Sequence, residues 1–259
     1  MMSALLEKVR QINQMVQKST EVVEDFSPMA EMLGTAINAN VYLVSPEGMV
    51  LGQAQIDDTD CQKVNFSEPT RLLNEFQQRL AFLPQPATNV NYDGCFFHAK
   101  GGCKCKERSV TIIPLQSGGE RLGNLLLTRK EGSISDDDMI LSEIGATVIG
   151  MSILRHRMER SESDARQKAN VQVALDSLSF SEMEAISSVF QELGGLEGFL
   201  VASKIADRIG ITRSVIVNAM RKLESAGVVE SRSLGMKGTY IHVQNRFFLD
   251  ELGKRARQK

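Results

Sequence analysis

Two stretches of this sequence hold side chains whose types and spacing can do chemistry. The first, "CFFHAKGGCKC", sets Cys95, His98, Cys103 and Cys105 within eleven residues. Thiolates and an imidazole so crowded can close a tetrahedral zinc site. The spacing C-x2-H-x4-C-x-C is an uncommon ligand pattern, and CxC is a weaker sign than CxxC. Lys100, Lys104, Lys106 and Arg108 lie close by and favour reactive thiolates. Metal ligands, redox-active thiols and ordinary loop cysteines all stay open on this pattern. The second stretch is "ITRSVIVNAMRKLESAG". At helical spacing Arg213, Ser214, Val217, Asn218 and Arg221 share an outward edge. Arginine pairs bidentately with guanine, asparagine with adenine, and Ser or Thr bonds bases or phosphates. This is the chemistry of reading a major groove.

Other chemistry is thin. Only three histidines occur, His98, His156 and His242, and no nucleophile–base or paired-carboxylate constellation accompanies them. An enzyme is therefore not expected. "GGERLG" lacks the Lys-Ser/Thr ending of a phosphate-binding loop and precedes a strand-like run, so it reads as a hairpin turn.

Helices and turns must position the groove-reading edge. "VASKIADRIG" reads as a short helix closed by Gly210 and carrying Ser203. The next helix is capped by Thr212 and stopped by Gly227, with Ile216, Met220 and Leu223 facing a core beside Val215 and Ala219. Two helices joined by a tight glycine turn form the helix-turn-helix signal. "VVESRSLGMKGTYIHV" adds two strands around a glycine-rich tip holding Lys237, which is a wing. Ahead of them, "SFSEMEAISSVFQEL" is a helix capped by Ser181 or Ser179 and ended by "GGLEG". The candidate DNA-binding residues are Ser203, Thr212, Arg213, Ser214, Val217, Asn218, Arg221 and Lys237.

Charge divides the chain the same way. Residues 201–259 carry 12 Lys and Arg against 5 Asp and Glu, whereas the other 200 residues carry 18 against 27, for the net −2. A basic module that binds a polyanion is thus attached to an acidic partner domain. Apolar residues at 42% and charged ones at 24% suit a soluble globular protein. No apolar run reaches the ~18 residues of a membrane span. The start "MMSALLEKVRQINQM" lacks a signal peptide, so a cytoplasmic location is expected.

The acidic part reads as α+β. Residues 4–18 form an amphipathic helix with Leu5, Leu6, Val9, Ile12 and Val16 on one stripe, which covers its own domain or a second copy. Then follow a helix "MAEMLGTAINA", strands "NVYLVS" and "MVLGQAQ", a helix "EPTRLLNEFQQRL" with Pro69 near its first turn, and strands "SVTIIPLQ" and "RLGNLLLTRK" around "SGGE". Small-molecule sensor domains use this arrangement. From Ser135, a plausible N-cap ahead of Asp136, Asp137 and Asp138, a long helix continues through a polar run free of Pro and Gly. The expected divisions are a sensor domain over 1–158, a helical linker over 159–178 and the DNA-binding domain over 179–259.

"ASKIADRIGITRSVIVNAMRKLESAGVVESRSLGMKGTYI" closely resembles the DNA-binding end of the CodY family, nutrient-sensing global transcriptional repressors of low-GC Gram-positive bacteria. The similarity runs from "LLEKVRQIN" through "GGERLGNLLLTR" and "DDDMILSEIGATVIGM" to the wing, and is weakest between about 53 and 108. The resemblance implies a GAF-like sensor domain, a long linker helix and a winged helix-turn-helix, in a homodimer. It implies a branched-chain amino acid, isoleucine above all, as effector, with GTP as a second one, and operator DNA as partner. Arg213 and Ser214 match the family's DNA-contacting pair. For the effector, Lys63 aligns with the basic anchor of the ligand carboxylate and Phe97 with an aromatic wall, joined by Tyr42 and His98. Where familiar members have basic residues after the serine at Ser45, this chain has Pro46, Glu47 and Met49. Glu47 repels a triphosphate, so a weak or absent GTP response is expected. The rival expectation is a metal- or thiol-redox-sensing regulator that uses the Cys95–Cys105 cluster as its switch.

Overall fold

The computed structural model describes residues 4–18, 25–57, 69–92, 94–97, 108–129, 132–235 and 238–257. The chain divides into two compact units, Met1–Glu159 and Arg160–Lys259. Among the described residues no helix is long and apolar enough to cross a membrane.

The first unit is built on an antiparallel sheet of order β2-β1-β5-β4-β3. Its strands are β1 (Asn40–Val44), β2 (Val50–Ala54), β3 (Ala87–Tyr92), β4 (Arg108–Ser117) and β5 (Glu120–Thr128). Every residue of β1 is buried, because strand side chains alternate between faces and here both faces are covered. Val41, Leu43, Leu125 and Leu127 point to one core; Tyr42, Val44 and Leu126 point to the other. Helices α1 (Ala4–Lys18), α2 (Ser27–Ile37) and the start of α4 (Asp136–Asp176) close the first core. Ile12 of α1 is fully buried there, with Leu5 and Val9 packed beside it, so the stripe covers its own unit; Leu6 stays exposed.

The unit departs from the sequence pattern at two places. The helix predicted from Glu68 starts at Asn74 and runs only to Ala81 (α3), so Pro69 lies well before its first turn. The intervening residues pair with the β1–β2 turn instead: Val50 N–H donates to the Thr70 carbonyl at 2.9 Å and Leu72 N–H to that of Gly48 at 2.8 Å. Strand β3, "ATNVNY", was not anticipated because its polar residues hide the alternation. Asn89 bends it, exchanging hydrogen bonds with the Ile134 backbone at 2.9 and 3.1 Å.

Helix α4 begins where expected: the Ser135 hydroxyl accepts from Asp138 N–H, and the Asp138 carboxylate accepts from Ser135. The Arg129 guanidinium fastens this start to the sheet and to the end of α2. It donates to the carbonyls of Ile37, Asn38 and Ser133 and to Asp138 at 2.9 Å.

The second unit holds the end of α4, then α5 (Phe180–Leu193), β6 (Glu197–Leu200), α6 (Ala202–Ile209), α7 (Arg213–Ser225), β7 (Val229–Ser233), β8 (Thr239–Val243) and α8 (Phe248–Arg257). Its sheet has the order β6-β8-β7. Val171, Ala174 and Leu175 of α4 share a core with Ile186, Phe190, Ile205, Leu223 and Phe248. Ser179, not Ser181, caps α5, in a reciprocal capping box with Glu182. Strand β6 and helix α8 were not foreseen; Gly194 and Gly195 precede β6 and Gly198 interrupts it, which hides its strand pattern.

Burial alone would raise the Asp138 carboxyl's pKa, but the hydrogen bonds from Ser135 and Arg129 outweigh it and hold it below the usual aspartate range. A carboxyl held low in the folded state contributes stability that is complete above its unfolded pKa and lost as pH falls through the folded one. Asp138→Asn is expected to destabilise the first unit by about 2 kcal/mol at pH 7. In urea melts across pH, that gap should be constant above about pH 4 and narrow progressively below it. A gap of constant size throughout would contradict this.

Candidate functional site

Gly210 closes α6 in the left-handed conformation, φ 71°, and donates to the Ala206 carbonyl. Only a residue without Cβ takes that conformation at little cost, and it turns the chain sharply into α7. On α7, Ile216, Ala219, Met220 and Leu223 are buried in the unit's core and Val215 packs beside them. Arg213, Ser214, Asn218 and Arg221 are exposed on the other side, with Val217 half-buried between them. Ser203 is exposed near the start of α6.

Thr212 occupies the N-cap position, with φ −86° and ψ 147°, but its hydroxyl caps no backbone N–H. It lies 2.8 Å from the Ser214 hydroxyl instead. The first amides of α7 therefore lack a side-chain cap, and a helix start in that condition attracts an anion.

The wing follows. Leu234 N–H donates to the Gly238 carbonyl at 2.9 Å, and Gly238 N–H to Gly235 at 3.2 Å. At Gly238, φ is 97° and a Cβ would sit 2.5 Å from the Leu200 carbonyl, so the tip packs on β6 only with glycine. Lys237 lies outside the described residues.

Ion pairing sorts the cations of this unit. Arg208 pairs with Glu192, Lys222 with Glu182 at 2.7 Å and Arg232 with Glu230 at 2.8 Å. Hydrogen bonding to Arg232 holds the Glu230 carboxyl low. By contrast, no hydrogen bond or ion pair engages the side chains of Arg213, Asn218 or Arg221 among the described residues. Their donors face solvent along one edge. Sequence spacing could not make this distinction.

In the first unit, the second face of the sheet carries an aromatic cluster. Tyr42 is fully buried, its ring centroid 5.6 Å from Phe97 and 6.4 Å from Phe96. Phe76 of α3 stacks on Phe96 at 4.7 Å, and Tyr92 stacks on Phe96 and tilts against Phe76. Of the candidate effector residues, Tyr42 and Phe97 thus come together, while Lys63 and His98 lie outside the described residues. Phe76, Tyr92 and Phe96 were missed; only the doubled Phe96–Phe97 hinted at such a wall. Of the candidate metal ligands, His98, Cys103 and Cys105 also lie outside the described residues. Cys95 is buried, and its sulfur accepts from Phe97 N–H at 3.4 Å. Among the described residues no three His, Cys, Asp or Glu side chains are grouped to hold a metal ion.

At the β1–β2 turn, the Glu47 carboxylate accepts from the Ser45 hydroxyl at 2.8 Å. That bond is the main reason its pKa is low, with help from the positive charges of Arg157 and Arg71. Arg71 also donates to the Glu47 carbonyl, and Gln77 to that of Pro46. A negative charge is thereby built into the turn.

Residues 4–177 match the family model of the CodY GAF-like domain, and residues 196–255 match that of the CodY helix-turn-helix domain. The global transcriptional regulator CodY of Geobacillus sp. (strain WCH70) is 50% identical over 253 residues, 96% of this chain and 98% of that protein. That of Bacillus licheniformis is 49% identical over 256 residues, 97% and 98% of the two. Among solved structures, the cofactor binding GAF domain of the nutrient sensor CodY from Clostridium difficile is 31% identical. It spans 59% of this chain and 99% of that one, with a TM-score of 0.42.

Phe76 is nearly inaccessible and touches two other rings. Phe76→Ala should therefore lower the stability of the first unit by about 3–5 kcal/mol, read from chemical denaturation. A loss below about 1 kcal/mol would mean that the cluster does not hold the sheet's second face.

Proposed function

The chain belongs to the CodY family of global transcriptional regulators, and on that premise we propose that it is a repressor whose grip on operator DNA is raised by a branched-chain amino acid, isoleucine first. A GAF-like domain, a long helix and a helix-turn-helix domain make up the chain. The observation that carries the DNA-reading role is the edge of Arg213, Asn218 and Arg221, exposed opposite a buried stripe and without a side-chain partner among the described residues. In this motif the N-terminal residues of the second helix meet base edges. Arg213, Ser214, Val217 and Asn218 read bases; Thr212, Ser203, Arg221 and Lys237 hold phosphates.

For the effector, the Tyr42–Phe97 wall takes the branched side chain and Lys63 takes the carboxylate, as a point charge without arginine's bidentate fork. The effector acts only through a difference in affinity between two states of the protein. GTP does not contribute, because the charge of Glu47 occupies the turn where a triphosphate would need cations. The repressor works as a homodimer on two half-sites. Supporting the dimer, Ile140, Met151 and Met158 of α4 are 48, 53 and 64% exposed. They fall within about 20° of each other around the helix axis, a stripe suited to a second copy.

Arg213→Ala should weaken operator binding by about 1–3 kcal/mol while leaving the melting temperature unchanged. A mobility-shift titration with the full chain checks this, and wild-type affinity for the same fragment should rise with isoleucine. Retention of full affinity by Arg213→Ala together with Ser214→Ala sinks the DNA-reading role. Indifference to all three branched-chain amino acids sinks the effector. In the same assay at saturating isoleucine, millimolar GTP should change nothing, and a clear gain in affinity contradicts the role given to Glu47.

A further inference from the structure

Lys222 looks like one more cation offered to DNA, since it sits on α7 directly after Arg221. Its surroundings say otherwise. The Nζ atom lies 2.7 Å from Glu182 Oε2 and 2.9 Å from the Ser177 carbonyl. Two of its three donors are thereby engaged. The same Glu182 oxygen accepts from Ser179 N–H at 2.8 Å. Ser177 belongs to the turn that follows α4, and Glu182 to the first turn of α5. Nine residues separate Lys222 from Arg213, about half a turn around the helix, but only four separate it from Asn218, about 40° away, so its bonds and not its place on α7 set it apart.

From this geometry we propose that Lys222 is a positioning residue, which ties the DNA-reading helix to the junction of α4 and α5 through Glu182 and Ser177 and makes no contact with DNA. The Glu182 side chain is only 11% exposed, so a carboxylate stripped of Lys222 would keep its charge with Ser179 alone, through its amide and hydroxyl, to offset it. Hydrogen bonding to Lys222 is also the leading cause of Glu182's lowered pKa. The buried stripe of α7 sets which side faces out. A stripe of apolar contacts is non-directional, whereas the Lys222 tie has a fixed length and two acceptors. It sets how far along and at what tilt the edge of Arg213 and Asn218 is presented.

The inference rests on the reading that α7 enters a DNA groove, and the experiment separates the two. Full-length wild type, Lys222→Met and Glu182→Gln, each shown to be folded by its thermal melt, are titrated with one promoter fragment at several salt concentrations. Glu182 is not on α7, and removing its negative charge would strengthen DNA binding if charge alone mattered. Positioning predicts the opposite sign: Glu182→Gln binds about fivefold or more weakly. Lys222→Met should show a comparable loss, with an unchanged slope of log affinity against log salt. A slope shallower by about 0.9 would make Lys222 a phosphate contact and overturn the proposal. Affinity that is unchanged or improved in Glu182→Gln would overturn it too. Should wild type retard no fragment, the groove reading itself has failed.

Discussion

One helix feeds both hydrophobic cores, and much of the architecture depends on that sharing. The first turns of α4 supply Leu141, Val148, Ile149 and Ile153 to the sensor core; its last turns supply Val171, Ala174 and Leu175 to the core of the second unit. Between Ile153 and Val171 no apolar residue of α4 is buried. That segment is held by its own backbone hydrogen bonds, by helix-forming residues and by the i,i+4 pairs Arg155–Glu159 and Glu162–Arg166. Each such pair is worth only a few tenths of a kcal/mol, so continuity comes from the packed ends. The start is pinned hardest, because Arg129, directly after β5, bonds the end of α2, the Ser133 carbonyl and Asp138 at once.

In the second unit the division of labour is between cations that are spoken for and cations that are not. Net charge draws a basic module toward a polyanion from a distance, but register on a duplex depends on donors that point at it. Pairing with Glu182, Glu192 and Glu230 withdraws Lys222, Arg208 and Arg232 from that pool. Among the described residues Arg213 and Arg221 carry no such pair, and both lie on the edge that the buried stripe turns outward. The Thr212–Ser214 hydroxyl pair adds to this edge by leaving the first amides of α7 without a side-chain cap.

The sensor unit shows the same economy of faces. Alternation along β1 and β5 sends one set of side chains to the helices α1, α2 and α4 and the other to an aromatic wall. That wall is completed by α3, whose end is fixed by Arg121 donating to the carbonyls of Leu80 and Leu83. Burial lowers the pKa of Arg121, yet three acceptors compensate the guanidinium. Beside the wall, the charge of Glu47 at the β1–β2 turn is stabilised locally by Ser45.

Sequence alone determined the features that local physics dictates. The 3.6-residue repeat of Ile216, Met220 and Leu223, the glycine after Ile209, the aspartates that open α4 and the charge split between the halves could all be read directly. The long C-terminal motif made the family legible as well. Tertiary structure decided whatever depends on a partner distant along the chain. Thr70–Leu72 pair with the β1–β2 turn when propensity favours helix; β3 is made a strand by its pairing with β4. Lys222 is claimed by a carboxylate forty positions away, and Phe76 reaches Tyr42's side of the sheet only through folding. Periodicity reports which side of an element is apolar. It carries no information about which distant group will meet the polar side, and that meeting separates a positioning residue from a reading one.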